Sequence, residues 1–124
     1  MKQYTDKIQT AKLIELGFEK PKSISGYYQR DPYEYDAKTN TKMCVYDDTQ
    51  YPIYAYSIGE LLSFLPKSIK VNDCYFTLTI SAEFDNWLVE YVDIAYGSQA
   101  YVRDVELIDA LFTEIVKLKE EGVI

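Results

Sequence analysis

Two pairs of neighbouring carboxylates are the residues of this chain best suited to carry out chemistry. Asp47 and Asp48 are adjacent, and Glu83 lies two positions before Asp85. Paired carboxylates can serve as the acid and base of a glycoside hydrolase, or hold a divalent cation through their oxygens. Both pairs fall in segments that predict turns, where Asp is common because its side chain hydrogen-bonds nearby backbone groups. The turn interpretation is the simpler one, and a small carboxylate-based hydrolase stays open as an alternative.

Other groups that enzymes commonly use are scarce in this sequence. It contains no histidine, the usual acid or base near neutral pH and a frequent metal ligand. Its two cysteines, Cys44 and Cys74, are too far apart for a CxxC motif, and Cys74 falls on the apolar side of a predicted strand. No phosphate-binding glycine loop, zinc-protease motif or calcium-binding loop occurs. We therefore expect reduced thiols, no cofactor, no metal and no catalytic activity.

The charge and hydropathy of the chain bear on its surroundings. Acidic residues outnumber basic ones by 20 to 13, which gives a formal net charge of −7 over 124 residues. A negative surface repels phosphate backbones, so direct binding of nucleic acid is disfavoured. No apolar run approaches the roughly 20 residues of a membrane span, and the first ten residues lack the apolar core of a secretion signal. These features predict a single cytoplasmic domain, residues 1–124, that does not enter a membrane.

Tyrosines are concentrated in one part of the chain, since eight of the 13 lie between residues 27 and 56. Tyr favours half-buried strands, and exposed Tyr is enriched where proteins meet partners. One face of a small core cannot bury this many rings. We therefore expect some of them to be exposed and to form a surface that binds another protein. The candidate residues are Tyr27, Tyr28, Tyr33, Tyr35, Asp36, Tyr46, Asp47, Asp48 and Tyr51. The alternative is that the rings are half-buried strand residues whose hydroxyl groups contact water.

Acidic residues interleaved with these rings raise a further functional hypothesis. Residues such as Asp31 and Glu34 could imitate nucleic acid and occupy the basic groove of a DNA- or RNA-binding protein. Basic residues interrupt the acidic ones, at Arg30, Lys38 and Lys42, and dilute the negative field. An acidic inhibitor that mimics nucleic acid is therefore kept as an alternative function.

Two helices are predicted in the first half of the chain. In the first, Ile8 and Ile14 belong to an apolar stripe, and Gly17 is placed to end the helix in the left-handed conformation of a Schellman motif. The second begins with a capping box, in which Ser57 is the N-cap and Glu60 reaches back to its backbone. Both patterns indicate short helices that pack on a core.

The second half predicts a hairpin and a third helix. Clean alternation of apolar and polar residues from Cys74 to Ala82 is typical of a strand with one face in water. A second strand is expected to end at Gly97 and Ser98, and Asp104 is expected to cap a helix from Val105 to Glu121. The predicted strands are 24–29, 43–46, 53–56, 74–82 and 87–96.

Three segments carry a resemblance to a known group of proteins. They are AKLIELGFEKPKS near the start, YSIGELLSFLPKSI from Tyr56 to Ile69, and ELIDALFTEIVKLKEEGVI from Glu106 to Ile124. In these segments, somewhat under half of its length, the chain resembles small uncharacterised proteins carried by prophages and mobile elements of gut bacteria. The resemblance implies a phage-type accessory protein, and it implies no activity and no site residues.

Together these patterns predict an α+β fold. We expect a two-layer sandwich with an antiparallel sheet of four to five strands and two or three helices packed mainly on one face. The favoured function is a non-catalytic accessory module of a prophage or mobile element that binds another protein. Self-association through an exposed sheet edge is left open.

Overall fold

Runs of strands lie between single helices along the chain, in an α+β arrangement. The computed structural model describes residues 1–29, 33–36, 38–44 and 49–124, with backbone alone at 33–36 and 41–44. Within these ranges there are three helices, α1 Lys7–Glu15, α2 Ile58–Phe64 and α3 Leu107–Glu120. The strands described are β1 Ser23–Gln29, β2 Tyr33–Asp36, β3 Thr41–Cys44, β4 Gln50–Ala55, β5 Ser68–Val71, β6 Cys74–Glu83, β7 Asn86–Asp93 and β8 Gly97–Asp104. Among the described helices, none has the length and apolar character needed to cross a membrane.

The main sheet has four antiparallel strands in the order β5-β6-β7-β8, with helices packed on one of its faces. α3 contacts β7 and β8, and α2 contacts α3. The opposite face is more polar, with Thr77 and Thr79 exposed. The residues that fill the core between the layers include Leu13, Tyr56, Leu61, Phe76, Val89, Tyr91, Ile108, Leu111, Ile115 and Leu118. The predicted two-layer α+β fold is confirmed.

The predicted caps of the first two helices form. Gly17 has a φ of 95°, and the Phe18 amide donates to the Leu13 carbonyl at 3.2 Å in a Schellman motif. In the second helix the Glu60 amide donates to the Ser57 hydroxyl at 3.2 Å, while the Ser57 amide donates to a Glu60 carboxylate oxygen. Both helices are therefore bounded by local hydrogen bonds.

One short strand, β5, lies outside the strands that the sequence predicts. β5 pairs with β6 through a turn at Asn72 and Asp73, whose φ values are 49° and 64°. Positive φ at both central residues is typical of a type I′ hairpin turn, which Asn and Asp tolerate. The strand has only four residues, too few for its alternation to stand out from the sequence.

The prediction that Gly97 and Ser98 end the strand at 87–96 was wrong. β7 ends at Asp93, whose carboxylate accepts from the Ala95 amide at 2.7 Å in a tight turn, and β8 starts at Gly97. Ala100 has a φ of 47° where the β7–β8 register shifts. That bulge interrupts the alternation of β8, which explains why the strand is hard to recognise from sequence.

Asp104 is likewise not the N-cap of the third helix. It ends β8, and its carboxylate accepts from the Glu106 amide at 3.1 Å. α3 starts at Leu107, with Glu106 in the cap position and no side-chain cap. The predicted end is correct, because Gly122 has a φ of 75° and completes a second Schellman motif.

A separate two-stranded sheet, here called the ribbon, is formed by β1 and β4. Its strands pair antiparallel, with Tyr28 opposite Tyr51, and a bulge interrupts β1 between Ile24 and Gly26. β2 and β3 form another hairpin. Of the strand predicted at 43–46, the first two residues belong to β3 and the others lie outside the described residues.

Candidate protein-interaction site

Three of the predicted interaction residues, Tyr27, Tyr28 and Tyr51, lie on the ribbon. Tyr27 and Tyr28 on β1 are 58% and 53% exposed. Tyr51 on β4 is half-buried, and its ring stacks on Tyr28 with 5.4 Å between centroids. The expectation that some of the clustered rings are exposed is therefore confirmed, whereas their role in binding stays a prediction.

The other six predicted interaction residues fall into two groups. Tyr33, Tyr35 and Asp36 lie on β2, where their backbones pair with Cys44, Lys42 and Thr41 of β3. The last three, Tyr46, Asp47 and Asp48, lie outside the described residues. The structure therefore brings Tyr28 and Tyr51 of the set into contact.

A groove of about 720 Å³ lies between α1 and the ribbon, and we call it the α1–ribbon groove. Its apolar lining comes from Ile14 on α1 and from Ile53 and Tyr54 on β4, which are 38%, 44% and 51% exposed. The lining residues are Thr5, Asp6, Lys7, Thr10, Ala11, Ile14, Ser25, Tyr28, Ile53, Tyr54 and Ala55. Contiguous exposed apolar side chains of this kind mark binding surfaces more often than scattered ones do.

Sequence patterns had assigned part of this surface to the core. Ile8 and Ile14 were expected to face inward, yet Ile8 is 82% exposed and Ile14 lines the groove. The side of α1 that is buried carries Leu13 and Thr10 instead. Thr10 can be buried because its hydroxyl donates to the Asp6 carbonyl at 2.7 Å. The apolar stripe of α1 was the sequence signal that could have indicated this surface, because the stripe has more apolar residues than the core buries.

Hydrogen bonds fix α1 beside the end of β4. The Thr5 amide donates to the Tyr56 carbonyl and the Tyr56 amide donates to the Thr5 hydroxyl oxygen, each at 3.0 Å. That oxygen is 2.7 Å from the Thr10 hydroxyl oxygen. All three residues are buried, so this wall of the groove is held by satisfied, water-excluded contacts.

A charged network ties the same helix to α3. The Lys2 ammonium lies 2.8 Å from an Asp109 carboxylate oxygen, and the Gln9 side-chain amide donates to the same oxygen at 2.7 Å. Burial opposes ionisation of Asp109, but these hydrogen bonds and the Lys2 charge outweigh burial and lower its pKa. The ionised carboxylate therefore holds the start of the chain against α3.

The other wall is fixed by Glu60 at the start of α2. Its carboxylate accepts hydrogen bonds from the Ser23 hydroxyl and from the Lys22 amide, the latter at 2.9 Å. Burial disfavours the charge, yet these bonds and those from Ser57 lower the pKa of Glu60 below its ordinary value. One side chain thus both caps α2 and holds the beginning of β1.

The carboxylate pair Glu83 and Asp85, considered above as a catalytic or metal-binding pair, lies at the β6–β7 hairpin of the main sheet. Glu83 lies 3.3 Å from the Arg103 guanidinium, and Asp85 is exposed at the β6–β7 turn. Neither lines the α1–ribbon groove. Cys74 packs against the core, as predicted. In the part of the chain that the structure describes, no three metal-binding side chains cluster.

A carboxyl group that sequence reasoning missed lies inside the core. Glu114 of α3 is fully buried, and neither carboxyl oxygen has a hydrogen-bond partner among the described residues. Burial raises its pKa to about 7; the Lys117 charge opposes this rise and the Glu121 charge adds to it. The nearby Tyr91 hydroxyl donates to the Pro66 carbonyl at 2.8 Å, and burial with the Glu114 charge raises the pKa of Tyr91 to about 12. Glu114 does not line the α1–ribbon groove, and its burial bears on the stability of the fold.

Comparison with protein-family models, curated proteins and solved structures finds no match to this chain.

Proposed function

We propose that this protein is a non-catalytic interaction module whose α1–ribbon groove binds a segment of another protein. The observation that carries the proposal is the exposure of Ile14, Ile53 and Tyr54 on one concave surface. Covering apolar surface releases roughly 25 cal/mol for each Å² removed from water. A partner that fills the groove gains this term.

The setting of the groove supports binding in a defined geometry. Both walls are anchored through buried or part-buried hydrogen bonds, at Thr5 on one side and Glu60 on the other. Binding to a surface that is already ordered avoids part of the entropy cost of association. A two-stranded ribbon is marginal alone, so covering it also stabilises the fold.

The biological setting belongs to the same proposal. The likeness of residues 56–69 and 106–124 to prophage and mobile-element proteins supports an accessory role in the cytoplasm. The absence of histidine from the chain and the pairing of Glu83 with Arg103 favour a binding role over hydrolysis. The partner is therefore expected to be another protein.

Site-specific photocrosslinking in cells that make the protein tests the proposed function. The photoreactive residue p-benzoylphenylalanine replaces Tyr54 in the groove or, as a matched control, Tyr101. The control is 58% exposed, close to the 51% of Tyr54, and does not line the groove. We expect a discrete crosslinked protein from position 54 and none from position 101.

A groove variant supplies the second control. Ile14→Asp places a charge in the apolar lining at a side chain that is 38% exposed, so the melting temperature should change by only a few degrees. The crosslink from position 54 should disappear in this variant. A crosslink that persists with Ile14→Asp, or one that forms equally from position 101, would contradict the proposal.

A further inference from the structure

We infer that the segment bound in the α1–ribbon groove is acidic as well as apolar, with carboxylates that pair with Lys7 and Lys20. This inference rests on the proposed function, because it names the chemistry of the partner at the same site. Three observations carry it: the groove is continuous, a lysine lies at each end, and the acidic residue in its lining is already paired.

The groove extends beyond the C-terminal end of α1. A neighbouring cavity of about 400 Å³ is lined by Lys20 and Pro21, and it shares Thr10, Ile14 and Tyr54 with the main groove. The two cavities therefore form one channel with a common apolar floor. Lys7, in the first turn of α1, borders its other end.

Both lysines are exposed and available to a ligand. Neither makes an ion pair with another residue in the described part of the chain, although the protein carries a net charge of −7. Lys12 on the same helix, in contrast, lies 3.6 Å from a Glu120 carboxylate oxygen. The two lysines of the channel thus carry positive charge that they share with no acidic neighbour among the described residues.

The acidic residue in the lining does not offset these charges. One oxygen of Asp6 accepts from the Gln9 amide at 2.8 Å in the capping box of α1. The other lies 3.4 Å from the Lys2 ammonium. Asp6 is therefore already paired, whereas Lys7 and Lys20 make no ion pair among the described residues.

The spacing of the lysines sets the length of the partner segment. α1 has nine residues and a rise of about 1.5 Å per residue, so it spans about 12 Å between Lys7 at its start and the end beyond which Lys20 lies. An extended chain covers this length in about four residues at roughly 3.3 Å each. The expected segment has apolar residues, which contact Ile14 and Tyr54, between two Asp or Glu residues.

Exposed ion pairs contribute modestly to affinity and more to the choice and orientation of a partner. The acidic surface of the whole protein also repels an acidic partner at long range, so salt dependence mixes two opposite effects. Charge preference measured with charge-reversal variants separates them. The variants are Lys7→Glu with Lys20→Glu, and the matched control Lys67→Glu alters an exposed lysine outside the channel.

The probe is a library of random 12-residue peptides displayed on phage and selected on the immobilised full chain. Groove-dependent peptides are those that bind the wild type and fail to bind Ile14→Asp. We expect them to carry apolar residues flanked by Asp or Glu. The Lys7→Glu and Lys20→Glu double variant should bind the synthetic peptides about tenfold more weakly and select Lys or Arg instead. Lys67→Glu should select as the wild type does.

The outcomes separate the partner chemistry from the proposed function. The inference would be overturned if the groove-dependent peptides showed no preference for acidic residues, or if the double variant kept the same preference. Neither result would contradict the proposed interaction module. Selection of no groove-dependent peptide would contradict both. A 12-nucleotide single-stranded oligonucleotide serves as a competitor. If it displaces a selected peptide from the wild type but does not bind the double variant, the two lysines bind phosphate groups, and this result would also overturn the inference.

Discussion

The buried carboxyl group of Glu114 predicts that the protein loses stability as the pH rises from 5 to 8. Its pKa is about 7 in the folded protein against 4.5 for the ordinary side chain. Below pH 4.5 the group is protonated in both states and imposes no penalty. Between the two values the unfolded chain releases the proton and the folded protein retains it, so the free energy of unfolding falls until the folded group ionises.

The size of this loss follows from the two pKa values. Each pKa unit corresponds to roughly 1.4 kcal/mol, so the free energy of unfolding should fall by about 2.5 kcal/mol between pH 5 and pH 8. For a chain of 124 residues this lowers the melting temperature by about 8 °C. The chain has no histidine, and the pKa values of Asp109 and Glu60 are lowered, so these groups titrate outside the window.

Glu114→Gln tests the assignment by keeping the shape of the side chain and removing its titration. The assay is urea unfolding of wild type and variant at pH 5, 6, 7 and 8. We expect the variant to be nearly independent of pH, so its stability relative to the wild type should rise by about 2.5 kcal/mol between pH 5 and pH 8. Glu120→Gln, an exposed site on the same helix, should behave as the wild type does. Equal pH slopes in wild type and Glu114→Gln would refute the reasoning.

Four further substitutions test the elements that position the groove. Gly17→Ala should lower the free energy of unfolding by about 1 kcal/mol because φ is 95° there. Gly59→Ala, inside α2, should raise it by about 0.5 kcal/mol, because the added Cβ would meet the Ser57 hydroxyl oxygen at an ordinary contact distance of 3.9 Å. Urea unfolding measures both changes. Asp109→Asn should lower the free energy of unfolding by about 1 kcal/mol at pH 7. The difference between wild type and variant should shrink as the pH falls below 3.8, the ordinary pKa, and through the lower pKa of the folded protein, because the wild-type carboxylate then also becomes neutral. Glu60→Gln should increase hydrogen exchange at the Lys22 amide, and unchanged exchange would show that Glu60 does not hold β1.

Features set by neighbouring residues could be predicted from the sequence. The capping box of Ser57 and Glu60 and the left-handed Gly17 depend on residues within one or two turns, and both form as expected. The alternation of β6 also survives, because its apolar side faces the core and the other faces water.

Features that depend on distant contacts could not be predicted. β8 was missed because its bulge at Ala100 breaks the alternation, and the start of α3 was misplaced because Asp104 belongs to that strand. The groove was missed because Ile14 meets Tyr54 only after α1 packs beside β4. Exposed tyrosines could be predicted from their number, whereas the concave surface beside them required the tertiary structure.

The most direct test of the account is the location of the bound peptide on the protein. A titration of the ¹⁵N-labelled protein with a selected acidic peptide, followed by amide chemical shifts, measures this. The account predicts shifts at Ala11 and Ile14 of α1 and at Tyr54 of β4, with none at Thr77 and Thr79 on the opposite face of the main sheet. Shifts confined to Thr77 and Thr79, or spread evenly over both surfaces, would contradict the account.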